Sequence, residues 1–169
     1  MVCSDCQKIQ LKKDFELSRF LGTWYEVLRS KNISFEKNDG VYDSYSLNKD
    51  STVKILTGYY DSKKDEAVKF NATAGFNGPN GWAKFAWFIP SGDYRILDTD
   101  YNDYVIILSC NRFLCWKYEW VWIMSRQKTP PDSVIQKAFK ILQGSFPHYT
   151  MNEFHKTVQG DSQKYPTEI

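Results

Sequence analysis

Apolar and polar residues alternate along most of the chain from Thr23 to Met124, and short polar links interrupt the alternation. Period two is the signature of strands with one buried face. The runs predict eight strands, at about Thr23–Ser30, Val41–Leu47, Thr52–Tyr60, Ala67–Phe76, Trp82–Ile89, Asp93–Leu97, Tyr104–Cys110 and Cys115–Met124. Each has a legible apolar face. Val41, Tyr45 and Leu47 share one, as do Val53, Ile55, Thr57 and Tyr59, and Val68, Phe70, Ala72 and Ala74. Phe85, Trp87 and Ile89 alternate with Lys84, Ala86 and Phe88, and the last run sets Trp116, Tyr118, Trp120, Trp122 and Met124 on one side. Turn chemistry separates the runs, most strongly at Asn77-Gly78-Pro79-Asn80-Gly81.

The period then changes. Pro130 and Pro131 stand where a helix start tolerates a missing N–H. Val134, Ile135, Ala138, Ile141 and Leu142 follow at helical spacing, and Gly144 is placed to end the helix. His148–Met151 could add a short strand, and residues 156–169 read as a loose tail. Residues 1–14 are a polar arm, and Phe15, Leu17, Phe20 and Leu21 form a small apolar cluster suited to one turn under a barrel.

Short links favour sequential antiparallel pairing, and a sheet of this length closes or splits. Closure at eight strands leaves an interior that can hold one small ligand. A sandwich would need a long crossover, and none is visible. The expectation is an all-β, eight-stranded antiparallel up-and-down barrel with one C-terminal helix outside. A chain of 169 residues suits a single domain. It divides into an arm and turn (1–21), a barrel (22–126), a helix (130–144) and a tail.

Composition narrows the function. Aromatics make up 17%, and a net charge of +2 comes from interspersed charges. That argues against nucleic acid, which needs a concentrated basic face. No apolar run reaches membrane-helix length. Four cysteines fall as close pairs, Cys3/Cys6 and Cys110/Cys115. Disulfides suit an even count tying an arm to a hairpin, with a metal site and free thiols as alternatives. Two sequons, at Asn32 and Asn71, agree with secretion. No secretory signal is visible, so the expected form is a mature extracellular protein. His148 and His155 follow the helix, outside the predicted barrel strands, and no nucleophile–base pair is apparent. No enzymatic activity is expected.

Three stretches carry a family resemblance: Gly22-Thr23-Trp24 opening the first strand, Thr99-Asp100-Tyr101 between the sixth and seventh, and Arg126 after the eighth. In this order, and with the terminal helix, they resemble the signature regions of the lipocalins. Within that family the chain is most similar to the branch of apolipoprotein D and the bacterial outer-membrane lipocalins. Phe20–Glu26, Trp87–Ser91, Thr99–Tyr104 and Trp122–Arg126 carry that closeness. The resemblance implies that Trp24 lies across a closed barrel end with the Arg126 guanidinium over its ring. It implies pocket positions at Tyr45, Thr57 and Trp122, with Met124 facing the same space. It also implies a Cys6–Cys110 bridge. Cys3 and Cys115 depart from the family pattern and most simply pair with each other, while a Cys110–Cys115 clip stays open.

The candidate ligand-binding residues are Tyr45, Thr57, Phe85, Trp87, Tyr104, Trp120, Trp122 and Met124. Tyr104 is ambiguous, because strict alternation puts it on the face of Cys110. An aromatic wall with few charges suits a cavity, and a filled core is the alternative. The expected function is binding and transport of a small hydrophobic ligand, of the fatty acid, lysolipid, retinoid, steroid or tetrapyrrole class. No cofactor is required, and the protein is expected to be a monomer. The alternative is a filled-barrel interaction protein. It would use the apolar rim, with Ile33, Phe35, Ile89, Phe113 and Leu114, on a membrane, lipid particle or protein partner.

Overall fold

Alternation becomes structure because one face of each strand turns to a shared interior and the other to water or to a helix. The computed structural model describes residues 5–86 and 91–160. Cys3, Trp87 and Ile89 thus lie outside the described residues. After a helical turn α1 (Leu17–Phe20) come β1 (Gly22–Ser30), β2 (Asp39–Leu47), β3 (Val53–Asp61), β4 (Glu66–Asn77), β5 (Asn80–Lys84), β6 (Gly92–Asp93), β7 (Arg95–Thr99), β8 (Tyr104–Phe113) and β9 (Trp116–Ser125). The helix α2 (Asp132–Ser145) and a short β10 (Phe154–Lys156) follow.

The sheet runs β6-β5-β4-β3-β2-β1-β9-β8-β7, with β10 added on β1. Its described pairings are antiparallel. The two ends of this path meet. β6 and β7 are adjacent pieces of one predicted strand, so β5 on one side and β8 on the other close the wall. Tyr94 N–H donates to the Gly81 carbonyl at 3.0 Å and Ile96 N–H to Pro79 at 2.9 Å across that seam. The result is an up-and-down barrel with a helix outside.

Five details differ from expectation. The predicted fifth strand begins inside the predicted turn, as β5 (Asn80–Lys84), and Phe85 and Ala86 lie beyond it. The predicted sixth strand splits at Tyr94, because Asp93 uses its side chain against β8. Its carboxylate accepts from Cys110 N–H at 2.9 Å and from Arg95 Nε at 2.7 Å. The hairpin β8–β9 is longer than predicted, paired from Tyr104↔Ser125 to Phe113↔Trp116. Gly144 does not end α2; the helix runs to Ser145, and Phe146 N–H closes on the Leu142 carbonyl at 2.8 Å. The late strand is not at His148–Met151. A 3₁₀ turn (Met151–Glu153) precedes β10, which pairs Leu28↔Lys156 and Ser30↔Phe154. His155 therefore sits in a strand of the sheet. The start of the predicted tail is strapped down as well, with Thr157 N–H on Val27 O and Gly40 N–H on Val158 O.

Two apolar clusters follow from the two faces. The outer one joins Val27, Leu28, Tyr104, Ile106, Leu108, Val121 and Ile123 to Ile135, Ala138, Phe139 and Leu142 of α2. Each large side chain buried there contributes roughly 1.5–3 kcal/mol. The inner cluster contains Phe20, Trp24, Tyr45, Val53, Ile55, Ala72, Ala74, Tyr94, Ile107 and Met124.

Candidate functional site

The closed end is built first. Phe20 from α1 packs on Trp24 (centroids 6.0 Å apart) and on Tyr45 (4.6 Å). The Trp24 indole N–H donates to the Phe20 carbonyl at 2.8 Å, and the indole is fully buried. Arg126 covers its ring, the guanidinium carbon 3.8 Å from the centroid. The same guanidinium donates to the carbonyls of Thr23 and Leu21 at 2.9 Å each and to Tyr101 at 3.2 Å. A planar five-donor fork can make all of these bonds while stacking. Gly22 has φ +98°, and a Cβ there would stand 3.1 Å from Arg126 Nη1. Glycine serves both the turn and the close approach.

Above this plug the interior becomes polar. A register shift between Glu26 and Leu28 brings Val27 and Leu28 both into the outer cluster, so Glu26 and Arg29 both turn inward. Arg29 Nη1 donates to Glu26 Oε1 at 2.6 Å, and both side chains are almost wholly buried. Thr157, reaching in from the strap, also donates to Glu26 Oε1. Glu26 Oε2 is buried without a hydrogen-bond partner. Across the interior, Asp43 accepts from Thr57 Oγ1 at 2.5 Å and from Tyr45 at 3.3 Å, and the Tyr45 and Tyr94 hydroxyls share a hydrogen bond of 2.6 Å. Glu36, from the β1–β2 loop, accepts the Trp122 indole N–H at 2.9 Å.

Burial sets the electrostatics of this layer, because desolvation disfavours the charged form. It is the first cause holding Glu26 well above the usual carboxylate range, followed by the neighbouring Glu36 carboxyl; Arg29 and Thr157 oppose it. Asp43 is pushed up to about 7, again mainly by burial, against the hydrogen bond from Thr57. Tyr94 is raised by burial and by the charges of Asp43, Glu36 and Glu26.

At the open end the lining turns aromatic. Trp122 meets Tyr94 and Trp120 at 6.4 Å each, and Phe35 closes edge-on to Trp120 at 5.1 Å. Opposite, Phe70 meets Tyr59 at 6.3 Å and Phe85 at 6.4 Å. Phe70 and Phe85 keep 36% and 39% exposure although Phe70 shares the inward face of Ala72 and Ala74.

Of the predicted ligand residues, Tyr45, Thr57, Trp120, Trp122 and Met124 line or adjoin the interior, and Phe85 stands at its mouth. Trp87 lies outside the described residues. Tyr104 is a correction. It belongs to the outer cluster under α2, donates to Asp98 at 2.6 Å, and has Lys137 over its ring at 5.1 Å. Strict alternation therefore holds from Tyr104 to Cys110, with both facing outward. Cys110 bonds to Cys6, with Cα atoms 6.0 Å apart. The Cys110–Cys115 clip is thereby excluded, and Cys115 is itself in a disulfide.

The expectation of few charges in the wall is also corrected. Glu26, Arg29, Glu36 and Asp43 were missed, as was Tyr94. The signal was there: Glu26 shares the parity of Trp24, and Asp43 that of Tyr45.

A closed antiparallel barrel, plugged at one end by an Arg-covered Trp, open at the other through aromatics and flanked by a helix, defines a barrel of the ligand-carrier class. Residues 15–159 match the family described as Lipocalin-like domain, and the chain belongs to the lipocalins. It is similar to apolipoprotein D of Bos taurus, 32% identical over 139 residues, covering 76% of this chain and 70% of that one. It is also similar to the outer membrane lipoprotein Blc of Vibrio cholerae, 30% identical over 137 residues, covering 78% and 76%. Among solved structures, insecticyanin of Manduca sexta superposes with a TM-score of 0.81 at 15% identity, covering 96% and 90%. Lobster apocrustacyanin A1 superposes with 0.73 at 22%, covering 85% and 79%. Lipocalins are in general binding and transport proteins for small hydrophobic ligands rather than enzymes.

Proposed function

We propose that this lipocalin binds and carries a small, largely apolar molecule in the upper half of the barrel. The observation that carries the reading is that inward-facing aromatics of β4 and β9, and Phe85 beyond β5, stay partly exposed at the open end while the plug below is sealed. Tyr45, Thr57, Phe85, Trp120, Trp122 and Met124 are the proposed contacts, with the Tyr45 and Tyr94 hydroxyls orienting the ligand's polar atom. The ligand classes in view are fatty acids, lysolipids, retinoids, steroids and tetrapyrroles, with no required cofactor. Disulfides at Cys6, Cys110 and Cys115 favour an oxidising, extracellular setting.

Tryptophan-quenching titrations with a fatty acid, retinol, a steroid and biliverdin test the reading. One-site saturation is expected for at least one ligand, weakened about tenfold or more in Trp122→Ala. Flat titrations of the folded protein would overturn it. They would favour a rim-driven role, for which Phe35 (64% exposed), Leu114 (77%) and Trp116 (71%) supply the apolar surface. Ile33 does not contribute, being 3% exposed.

A further inference from the structure

Two motifs stand outside the ligand reading, the sequons Asn32-Ile33-Ser34 and Asn71-Ala72-Thr73. The fold presents them differently. Asn71 lies within β4, where Ala72 and Ala74 turn into the inner cluster at 5% and 0% exposure. Successive strand residues face opposite sides, so Asn71 and Thr73 stand together on the outer face, and both are exposed. The ladder holds them there, Asn71 opposite Leu56 and Thr73 between Lys54 and Lys84. Helix α2 packs over β1, β8 and β9, and Lys54, Lys69 and Lys84 on this other wall are exposed. Among the described residues, no hydrogen bond or ion pair engages the Asn71 side chain.

The Asn32 sequon is folded into the turn that ends β1. Ile33 N–H closes on the Ser30 carbonyl at 3.2 Å, and Ile33 is 3% exposed. The Asn32 amide donates to the Glu119 carbonyl on β9 at 3.1 Å. A sugar on that nitrogen would compete with this bond and stand beside the mouth, where Phe35 meets Trp120. The residue types also favour Asn71. A sequon needs the hydroxyl of its third residue next to the asparagine amide. Threonine is β-branched and has fewer χ1 choices than serine, so its hydroxyl loses less freedom in reaching that position.

We propose that Asn71 is the main glycan acceptor of this chain, modified in the secretory pathway from a lipid-pyrophosphate-linked oligosaccharide. Asn71 Nδ2 bonds to the anomeric carbon of the first sugar. The bond from that carbon to the pyrophosphate oxygen breaks, the lipid pyrophosphate leaves with the electron pair, and the amide releases one proton. The product suits the folded chain, because a bulky, solubilising glycan stays in water on the wall of β3 to β5 and clear of the mouth. The inference goes beyond ligand binding, and it agrees with the oxidising setting that the disulfides favour.

Expression in cultured mammalian cells behind a secretory signal tests this, with glycopeptide mass spectrometry of both medium and cell extract. Wild type should carry an asparagine-linked glycan, with higher occupancy at residue 71 than at residue 32. Asn71→Gln and Thr73→Ala should each remove the glycan at 71, Thr73→Ser should keep it, and Asn32→Gln should leave it unchanged. Asn71 and Thr73 face water, so melting curves of their variants should match wild type, and the cell extract scores a variant that is retained. A bare Asn71, a glycan at 71 that survives Thr73→Ala, or an occupancy at Asn32 equal to or above that at Asn71 overturns the proposal.

Discussion

Asp43 is where burial and chemistry conflict most openly. An ordinary aspartate titrates near 3.9, and this one is pushed up to about 7. Between those values the folded state holds a proton that the unfolded chain has released. Stability from this group is therefore full at low pH and is lost as pH rises from about 4 through about 7. Asp100 has the opposite sign. Backbone N–H groups of Asp103 and Tyr104 and the Lys137 ammonium hold its carboxyl below the usual range against partial burial, so its contribution is lost on acidification. Asp43→Asn removes the first dependence and leaves the second. At about 1.4 kcal/mol per unit, the variant's stability relative to wild type should rise by about 2–3 kcal/mol between pH 5 and pH 8. Urea denaturation at the two pH values measures it; an unchanged difference would mean that Asp43 is ionised throughout.

At the scale of elements, the arm and the strap do more than the sequence pattern conveys. The arm is tied to β8 by Cys6–Cys110, to β7 by Lys12 N–H on Ile96 O at 3.2 Å, and to the end of α2 by Gln7 on Ser145 O at 3.0 Å. The disulfide closes a span of 104 residues, for which chain entropy predicts up to about 5 kcal/mol. The Cys6→Ser/Cys110→Ser variant should lose about 2–5 kcal/mol by denaturant titration; full retention would mean the remaining arm contacts suffice. Strands β2 to β4 and helix α2 were legible because their apolar positions keep a regular period, whereas the period of β1 breaks at the shift after Glu26. The split at Tyr94 was not, because it depends on Asp93 meeting two partners on other strands. β10 was misplaced because its three residues have no periodic signal; pairing with β1 defines it. Tyr104 was ambiguous because two inferences competed, the one from parity and the one from aromaticity, and parity won once α2 offered it a surface.

The whole molecule grades from sealed to open. Trp24 and Arg126 make the floor, the carboxyl layer sits above it, and Trp120, Trp122, Phe70 and Phe85 form the mouth. The floor was legible through the family resemblance carried by Gly22-Thr23-Trp24 and Arg126, and several wall residues through the period of their strands. The acidic layer could not be read as a unit. Glu26, Glu36 and Asp43 come from one strand, a loop and a second strand, and only barrel closure turns these elements to one interior; the register shift after Glu26 adds Arg29 to it. This grading makes the central claim a statement about position: a ligand belongs above the floor and inside the wall. Six tryptophans give six indole N–H signals in a ¹⁵N-resolved spectrum, and the five among the described residues sample the floor, the outer face, the mouth and the hairpin tip. Titrating the fatty acid, retinol, steroid and biliverdin panel should move the Trp120 and Trp122 signals together for the ligand that binds, leaving Trp24 under Arg126 and Trp82 on the outer face in place. Shifts confined to Trp116 at the hairpin tip, or none with any probe, would contradict a ligand held inside the barrel.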